Sequence, residues 1–195
     1  YNVIVAKFSQ KLTHPKREVE TSLGNLVADA LASCAEVDVM LVGSGSIRGK
    51  ELGPAVTLKD FLACFPYSGA LRRFAITGAQ LWKIFEHIMR PENRNGEGEC
   101  YQVNSGVRAV YSDKDHRLES LAIDGAPIDR TKFYTICLQE YHFNNSADYL
   151  NITNEELLSS GKSKVVSTSD QGVLEEFLKN NQNISRKVEG RLVYQ

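Results

Sequence analysis

The residues best suited to chemistry lie in a few short segments. The first is GSGSIRG (43–49), a glycine-rich loop directly after the apolar run VDVMLVG (37–43). Such a loop can cradle an anion with backbone N–H groups. Gly43 and Gly45 fit the first two positions of a dinucleotide fingerprint, but Arg48 stands at the third, and no Lys-Ser/Thr pair completes a P-loop. On spacing alone a tight turn is the simpler reading. Arg48 tips the balance, because a guanidinium on a glycine loop suits bidentate contact with a carboxylate or phosphate. Two aromatic residues add a second kind of chemistry. Tyr67 lies in FPYSG (65–69) and Phe143 in YHFNNSADYLNIT (141–153), both polar and turn-forming segments. A ring presented from a loop can stack on a base, which contributes about 1–3 kcal/mol. Its alternative is a satellite cluster that pins the loop to the domain. Arg17, in THPKREVE, reads locally as a solvated charge, and Asp148 as a turn or cap residue.

Other chemistries lack their residues. The histidines (His14, His87, His116, His142) are scattered, with no H-x-H, D-x-H or H-E-x-x-H, so a metal centre built from this chain alone is not expected. Cys34, Cys64, Cys100 and Cys137 form no C-x-x-C. Cys34, on an apolar helical stripe, and Cys137, in an apolar strand, read as buried small hydrophobes; two disulfides in any of three pairings remain open. G-x-S-x-G fails for want of its last glycine. SDKD (112–115) is turn chemistry without the glycine and glutamate of a calcium loop.

The elements that must position these residues can be read from periodicity. Strands are expected over 2–8, 37–43 (buried on both faces), 70–77, in CYQV with GVRAVYS, and in RLESLAI, KFYTICLQ, KVVST and GRLVY. Asp124-Gly125 marks a hairpin turn. Ser22 or Thr21 caps a helix with the stripe Leu23, Leu26, Val27, Ala30, Leu31 and Cys34. Thr57 with Asp60, and Thr77 with Gln80, open two further helices. NEELLSSG is a short helix, and Thr168 with Gln171 caps the last one. Residues 91–99 and 141–153 read as irregular. The strands and helices mix without βαβ alternation, so the expected class is α+β, one domain over 1–195 with a mixed sheet packed against helices. Composition agrees: 195 residues, 42% hydrophobic, 24% charged, net charge −1. That balance argues against a nucleic-acid or anionic-membrane surface, and no run is long enough for a membrane span. The chain opens on Tyr1, with Met40 and Met89 its only methionines, which reads as a processed product or excised piece whose signal peptide has gone. Sequons at Asn144, Asn151 and Asn183 permit a secreted setting.

Read together, five segments resemble the C-terminal domain of the 5′-nucleotidase / UDP-sugar hydrolase family. ETSLGNLVADA (20–30) is similar to that family's ES-x-LGNL-x-ADA, and VDVMLVGSGSIR (37–48) to AD-x-x-x-x-NGGGIR. Asp60 to Leu71 followed by ITGAQL resembles DL-x-x-x-x-PFGN-x-L…LTG-x-x-L; YQVNSG (101–106) resembles F-x-Q-x-SG; Glu189-Gly190-Arg191 matches the closing EGR. The resemblance implies a substrate-binding domain with a fold of that family. The catalytic partner is a metallophosphoesterase domain in cis, N-terminal to it and outside this chain, holding two divalent metal ions; this chain then needs no cofactor and is inactive alone. It implies a nucleotide or nucleoside ligand and a secreted, periplasmic or cell-surface location. Arg17 and Arg48 become substrate-binding arginines, with Gly43 and Gly45 beside them. Tyr67 and Phe143 become the base-stacking rings and Asp148 the ribose contact. The pattern departs in several places. Gly43 stands for the NGGGIR asparagine, Ser44 and Ser46 for two of its glycines, and Gly69 for the PFGN asparagine. FNNSADYL replaces F-x-x-x-GGD-G-[YF], so His142 takes the strict position of the second ring. These departures leave two alternatives open: a non-catalytic binding module, or the same enzyme class acting on a nucleotide sugar, cyclic nucleotide or non-nucleotide phosphate.

Overall fold

Residues 39–43 (VMLVG) are buried along their whole length, and the fold is arranged around that strand. The architecture comes from a computed structural model that describes residues 2–195; Tyr1 lies outside the described residues. In chain order the elements are β1 (Ile4–Lys7), β2 (Leu12–Thr13), α1 (Ser22–Ala35), β3 (Val39–Gly43), β4 (Glu51–Leu52), β5 (Ala55–Thr57), α2 (Leu58–Cys64), β6 (Leu71–Thr77), α3 (Gly78–Ile88), β7 (Tyr101–Val103), β8 (Val107–Ser112), β9 (Arg117–Ile123), β10 (Ala126–Pro127), β11 (Phe133–Gln139), α4 (Glu140–Asn144), α5 (Ser146–Leu150), α6 (Asn154–Leu158), β12 (Lys164–Ser167), α7 (Asp170–Asn180) and β13 (Leu192–Tyr194). A 3-10 turn covers Ser44–Ser46 and a π-type turn Asn93–Glu97.

The main sheet has the order β12-β6-β11-β3-β7. Only the β11–β3 pair within it is parallel. Side chains alternate faces along a strand, so β3 feeds two cores. Met40 and Val42 join α1 and α7 on one face. Val39 and Leu41 join α3 and the second sheet, β10-β9-β8-β13, on the other. The result is the expected α+β class, in three layers. Each fully buried Leu, Ile or Phe in these layers contributes on the order of 1.5–3 kcal/mol.

Local chemistry explains the helix starts. The Thr57–Asp60 and Thr77–Gln80 capping boxes form as the spacing predicts, and Thr21 accepts from the Gly24 N–H to cap α1. The Asp124-Gly125 turn has both residues at positive φ, 50° and 82°, as a tight hairpin turn requires. Four expectations are corrected. The α7 cap is Ser169, which accepts from Gly172 N, rather than Thr168; Gln171 instead reaches back to the Phe65 carbonyl. Cys34 is exposed, and Ala35, the last residue of α1, is buried. All four cysteines are free thiols, so the disulfide alternative is not taken up. Residues 141–153 are largely helical, in α4 and α5.

Candidate functional site

Register places five chain segments at one end of the main sheet. Parallel β3 and β11 both run to that end and finish at Gly43 and Gln139. The antiparallel partners turn round there: Leu71 of β6 pairs with Gln139, and Tyr101 of β7 with Gly43. Ser167, closing β12, also pairs with Leu71, so α7 starts at the same end. Loops 44–48, 65–70, 93–100 and 140–144 and the first turn of α7 therefore enclose one open cleft of about 960 Å³.

Tyr67 and Tyr141 present exposed rings to this cleft, 53% and 57% accessible. Arg48 is tied to the first: its Nε and Nη2 both donate to the Tyr67 hydroxyl, at 3.1 and 2.7 Å. Its guanidinium carbon lies 5.3 Å from that ring's centroid. Arg17 reaches the cleft from the other side. It donates to the carbonyls of Gly98 (2.9 Å) and Asn93 (3.2 Å), which fixes the 93–98 turn against it.

Tyr141 is held by a cluster of rings. His142 meets it edge-on, with centroids 5.3 Å apart. The Tyr141 and Tyr149 hydroxyls are 2.9 Å apart. This hydrogen bond, with a smaller contribution from burial, pushes the Tyr149 phenol up to about 12. Below, His142 Nδ1 lies 2.7 Å from the Tyr101 hydroxyl, and burial drives the imidazole down to about 4, so it is neutral near pH 7. The His142 ring covers Gly43, and any Cβ at position 43 would collide with Nε2. That contact accounts for a glycine at this position. Gly45 lines the cleft with no neighbour within 4 Å of a Cβ placed on it.

The floor between the two tyrosine loops is polar. Gln139 Oε1 accepts from Gly43 N (2.8 Å), and its Nε2 donates to Asp170 Oδ2 (3.1 Å) and more weakly to Ser46 Oγ (3.4 Å). Asp170 Oδ1 accepts from Gly69 N (3.0 Å) and Gln171 N (2.8 Å). Asp170 and Gln139 thus brace the Tyr67 loop against the strand that leads into Tyr141.

Of the residues singled out from sequence, Arg17, Gly45, Arg48, Tyr67 and His142 line this one cleft; Gly43, expected beside the ligand, is instead buried beneath His142 and is not among the lining residues. Phe143 does not reach it. Phe143 is 8% accessible in the core, stacked on Phe74 at 5.2 Å and 16°. The α4 helix explains this: Glu140 opens it, His142 and Phe143 turn inward, and Tyr141 turns out. Asp148 is placed elsewhere too, on a separate hollow of about 230 Å³ beside Asn144 and Thr153. Sequence reading passed over Tyr141, Gln139 and Asp170. The signal for Tyr141 was its place two residues after the end of an apolar strand, one residue ahead of His142. Gln139 and Asp170 carry no such mark and are found only through the sheet register.

The outermost motifs are structural. Glu20 accepts from the backbone N–H groups of Glu189, Gly190 and Arg191 at 2.8–3.0 Å and from Asn25 Nδ2 at 2.8 Å. Arg191, 2% accessible, grips Asp29 with two bonds of 2.8 and 2.9 Å and also donates to Glu189 and the Val103 carbonyl. ETSLGNLVADA and EGR therefore clasp each other across the fold through Glu20, Asn25 and Asp29, none of which lines the cleft. Among the described residues no three His, Cys, Asp or Glu side chains gather as a metal site, and no helix is long and apolar enough to cross a membrane.

Comparison with known proteins bears on the family and the fold. Residues 3–154 match the family model described as 5′-nucleotidase, C-terminal domain. A 5′-nucleotidase of Vibrio vulnificus (strain CMCP6) is 23% identical over 188 residues, covering 94% of this chain and 32% of the relative. Protein UshA of Salmonella pullorum is 23% identical over 167 residues, covering 85% and 28%. The chain thus spans about a third of the length of these curated relatives. Among solved structures, a 5′-nucleotidase precursor from Thermus thermophilus superposes with a TM-score of 0.76 at 19% identity, covering 98% of this chain and 39% of the other. The NAD nucleotidase of Haemophilus influenzae superposes with a TM-score of 0.79 at 16% identity, covering 99% and 38%. These likenesses show the fold.

Proposed function

Because the chain belongs to the family of 5′-nucleotidase C-terminal domains, we propose that it is the substrate-recognition half of a phosphate-ester hydrolase whose catalytic half lies outside this sequence. The observation that carries the reading is the pair of exposed rings, Tyr67 and Tyr141, on one cleft with Arg48 and Arg17. A base stacks between the rings, and the arginines hold the anionic ribose-phosphate side by charge-assisted hydrogen bonds. Tyr141 takes the role that sequence reading gave to Phe143. Two divalent metal ions in the other domain would supply the Lewis-acid chemistry. This chain's residues bind the ligand, orient it and keep it from dissociating. A periplasmic, secreted or cell-surface location and a metallophosphoesterase domain in cis belong to the same reading.

Calorimetric titration of the chain with AMP, adenosine and guanosine tests it. Saturable binding is expected, weakened by Tyr67→Ala and by Tyr141→Ala. No saturation up to millimolar ligand sinks the reading. Metal-dependent turnover by the chain alone would overturn the division of labour between two domains. One observation favours a changed base preference within the same class: Gly43 and His142 stand where the family pattern has an asparagine amide and a ring.

A further inference from the structure

The cleft floor has a pattern of its own. Asp170 lies between the Tyr67 loop and the Tyr141 loop, tied to Gly69 on one side and to Gln139 on the other. Its Oδ1 already accepts two backbone N–H groups, while Oδ2 accepts only the Gln139 side chain at 3.1 Å. A carboxylate oxygen has two lone pairs, so Oδ2 keeps acceptor capacity toward the cleft. The side chains nearest to it direct donors elsewhere. Ser46 Oγ donates its proton to the Gly43 carbonyl at 2.7 Å, which leaves it as an acceptor. The Gln139 amide donors point to Asp170 and Ser46, and the Gln171 amide donates to the Phe65 carbonyl at 2.6 Å. The floor therefore presents acceptors, one of them anionic, to whatever edge a stacked ring turns inward.

We infer that Asp170 is a specificity-determining residue that selects a base edge with two adjacent N–H donors, which among the common bases is guanine. The inference rests on the nucleoside-stacking reading above. Guanine sets its N1–H beside its exocyclic amine, and a carboxylate can accept from both. Adenine and cytosine set one amine beside a bare ring nitrogen, whose lone pair would face the carboxylate. Hypoxanthine and uracil offer one N–H next to a carbonyl. Asp170 and Ser46 are half-buried, and a base stacked over them would seal them from water, so a ligand that leaves those acceptors unpaired is rejected more strongly than an apolar pocket rejects a missing methylene.

The test is calorimetric titration of the chain with guanosine, 1-methylguanosine, inosine and adenosine. Guanosine is expected to bind about tenfold or more tightly than the other three, a factor one directed hydrogen bond to a charged group can supply. Methylation of N1 removes one donor and inosine lacks the other. In Asp170→Asn, whose Oδ1 can still accept from Gly69 and Gln171, the preference for guanosine over adenosine should disappear, whatever the change in overall affinity. If that variant does not fold, the 1-methylguanosine comparison on the unaltered chain decides alone. Equal saturable binding of guanosine, 1-methylguanosine and adenosine overturns this inference and leaves the stacking reading standing. Absence of saturable binding by every nucleoside overturns both.

Discussion

His142 packs directly over Gly43, its Nε2 occupying the space a side chain at position 43 would need. The two residues are far apart in sequence: Gly43 ends β3, and His142 lies in α4, which follows the neighbouring parallel strand β11. Overpacking such a contact costs about 1–3 kcal/mol. Gly43→Ala should therefore destabilise the chain by that amount in urea unfolding. In Gly43→Ala/His142→Ala the space is shared again, so the two changes should couple favourably by about 0.5–3 kcal/mol. Strictly additive effects would show that the ring can move aside and does not fix residue 43.

Tyr141 and Phe143 give opposite signatures. The Tyr141 ring is exposed on the cleft, whereas Phe143 is stacked on Phe74 under the Arg72 guanidinium, 4.9 Å above it. Tyr141→Ala should leave the urea midpoint nearly unchanged and weaken nucleoside binding by about 1–3 kcal/mol, the value of one stacked base. Phe143→Ala should cost about 3–5 kcal/mol of stability, with the affinity of the folded fraction preserved. Calorimetry paired with denaturation on each variant separates the two, and a reversed pattern would return the stacking role to Phe143.

The contrast shows what periodicity could and could not supply. Strand β3 was legible as a two-sided buried strand because its apolar run is unbroken, and both capping boxes because their bonds are local. Tyr67 and Arg48 were legible because each sits beside a glycine or proline that forces a loop. The 141–153 segment was not. Its helices are five residues each, too short for a 3.6-residue stripe to separate the inward Phe143 from the outward Tyr141. Asp170 was hidden for another reason. Its place on the cleft depends on β12 pairing antiparallel with β6, a long-range contact between residues 164–167 and 71–73 that local pattern does not encode.

Acid should destabilise the fold through its histidines. Burial lowers His142 from 6.5 to about 4 and also lowers His14 and His87. The folded chain keeps His142 neutral where the unfolded chain takes up a proton, and His14 and His87 are shifted in the same direction. Stability from His142 is thus fully present above about pH 6.5 and is lost as pH falls toward 4, by up to about 3 kcal/mol. Urea midpoints measured from pH 7.5 to 4.5 should fall more steeply for the unaltered chain than for His142→Phe. A constant difference between the two across that range would show that His142 is not held neutral by burial.

The clasp between Asp29 and Arg191 should dominate stability without touching the cleft. Arg191 is almost wholly buried and meets Asp29 with two parallel bonds, and Asp29 Oδ2 also takes Arg186 Nε at 2.8 Å. Removing one partner of a buried pair strands the other charge, at a cost of about 3–5 kcal/mol. Asp29→Ala should therefore lose that much, since it leaves Arg191 with Glu189 as its one carboxylate partner and takes away the carboxylate that Arg186 meets. Replacing both ends, as in Asp29→Leu/Arg191→Met, removes the stranded charge, so the double variant should be more stable than Asp29→Ala. Glu20→Gln should cost less, because an amide oxygen can still accept some of the three N–H bonds from residues 189–191. Nucleoside affinity of the folded fraction should be unaltered in all three, since none of these side chains lines the cleft. Loss of binding at full folding in Asp29→Ala would place the clasp within the recognition machinery instead.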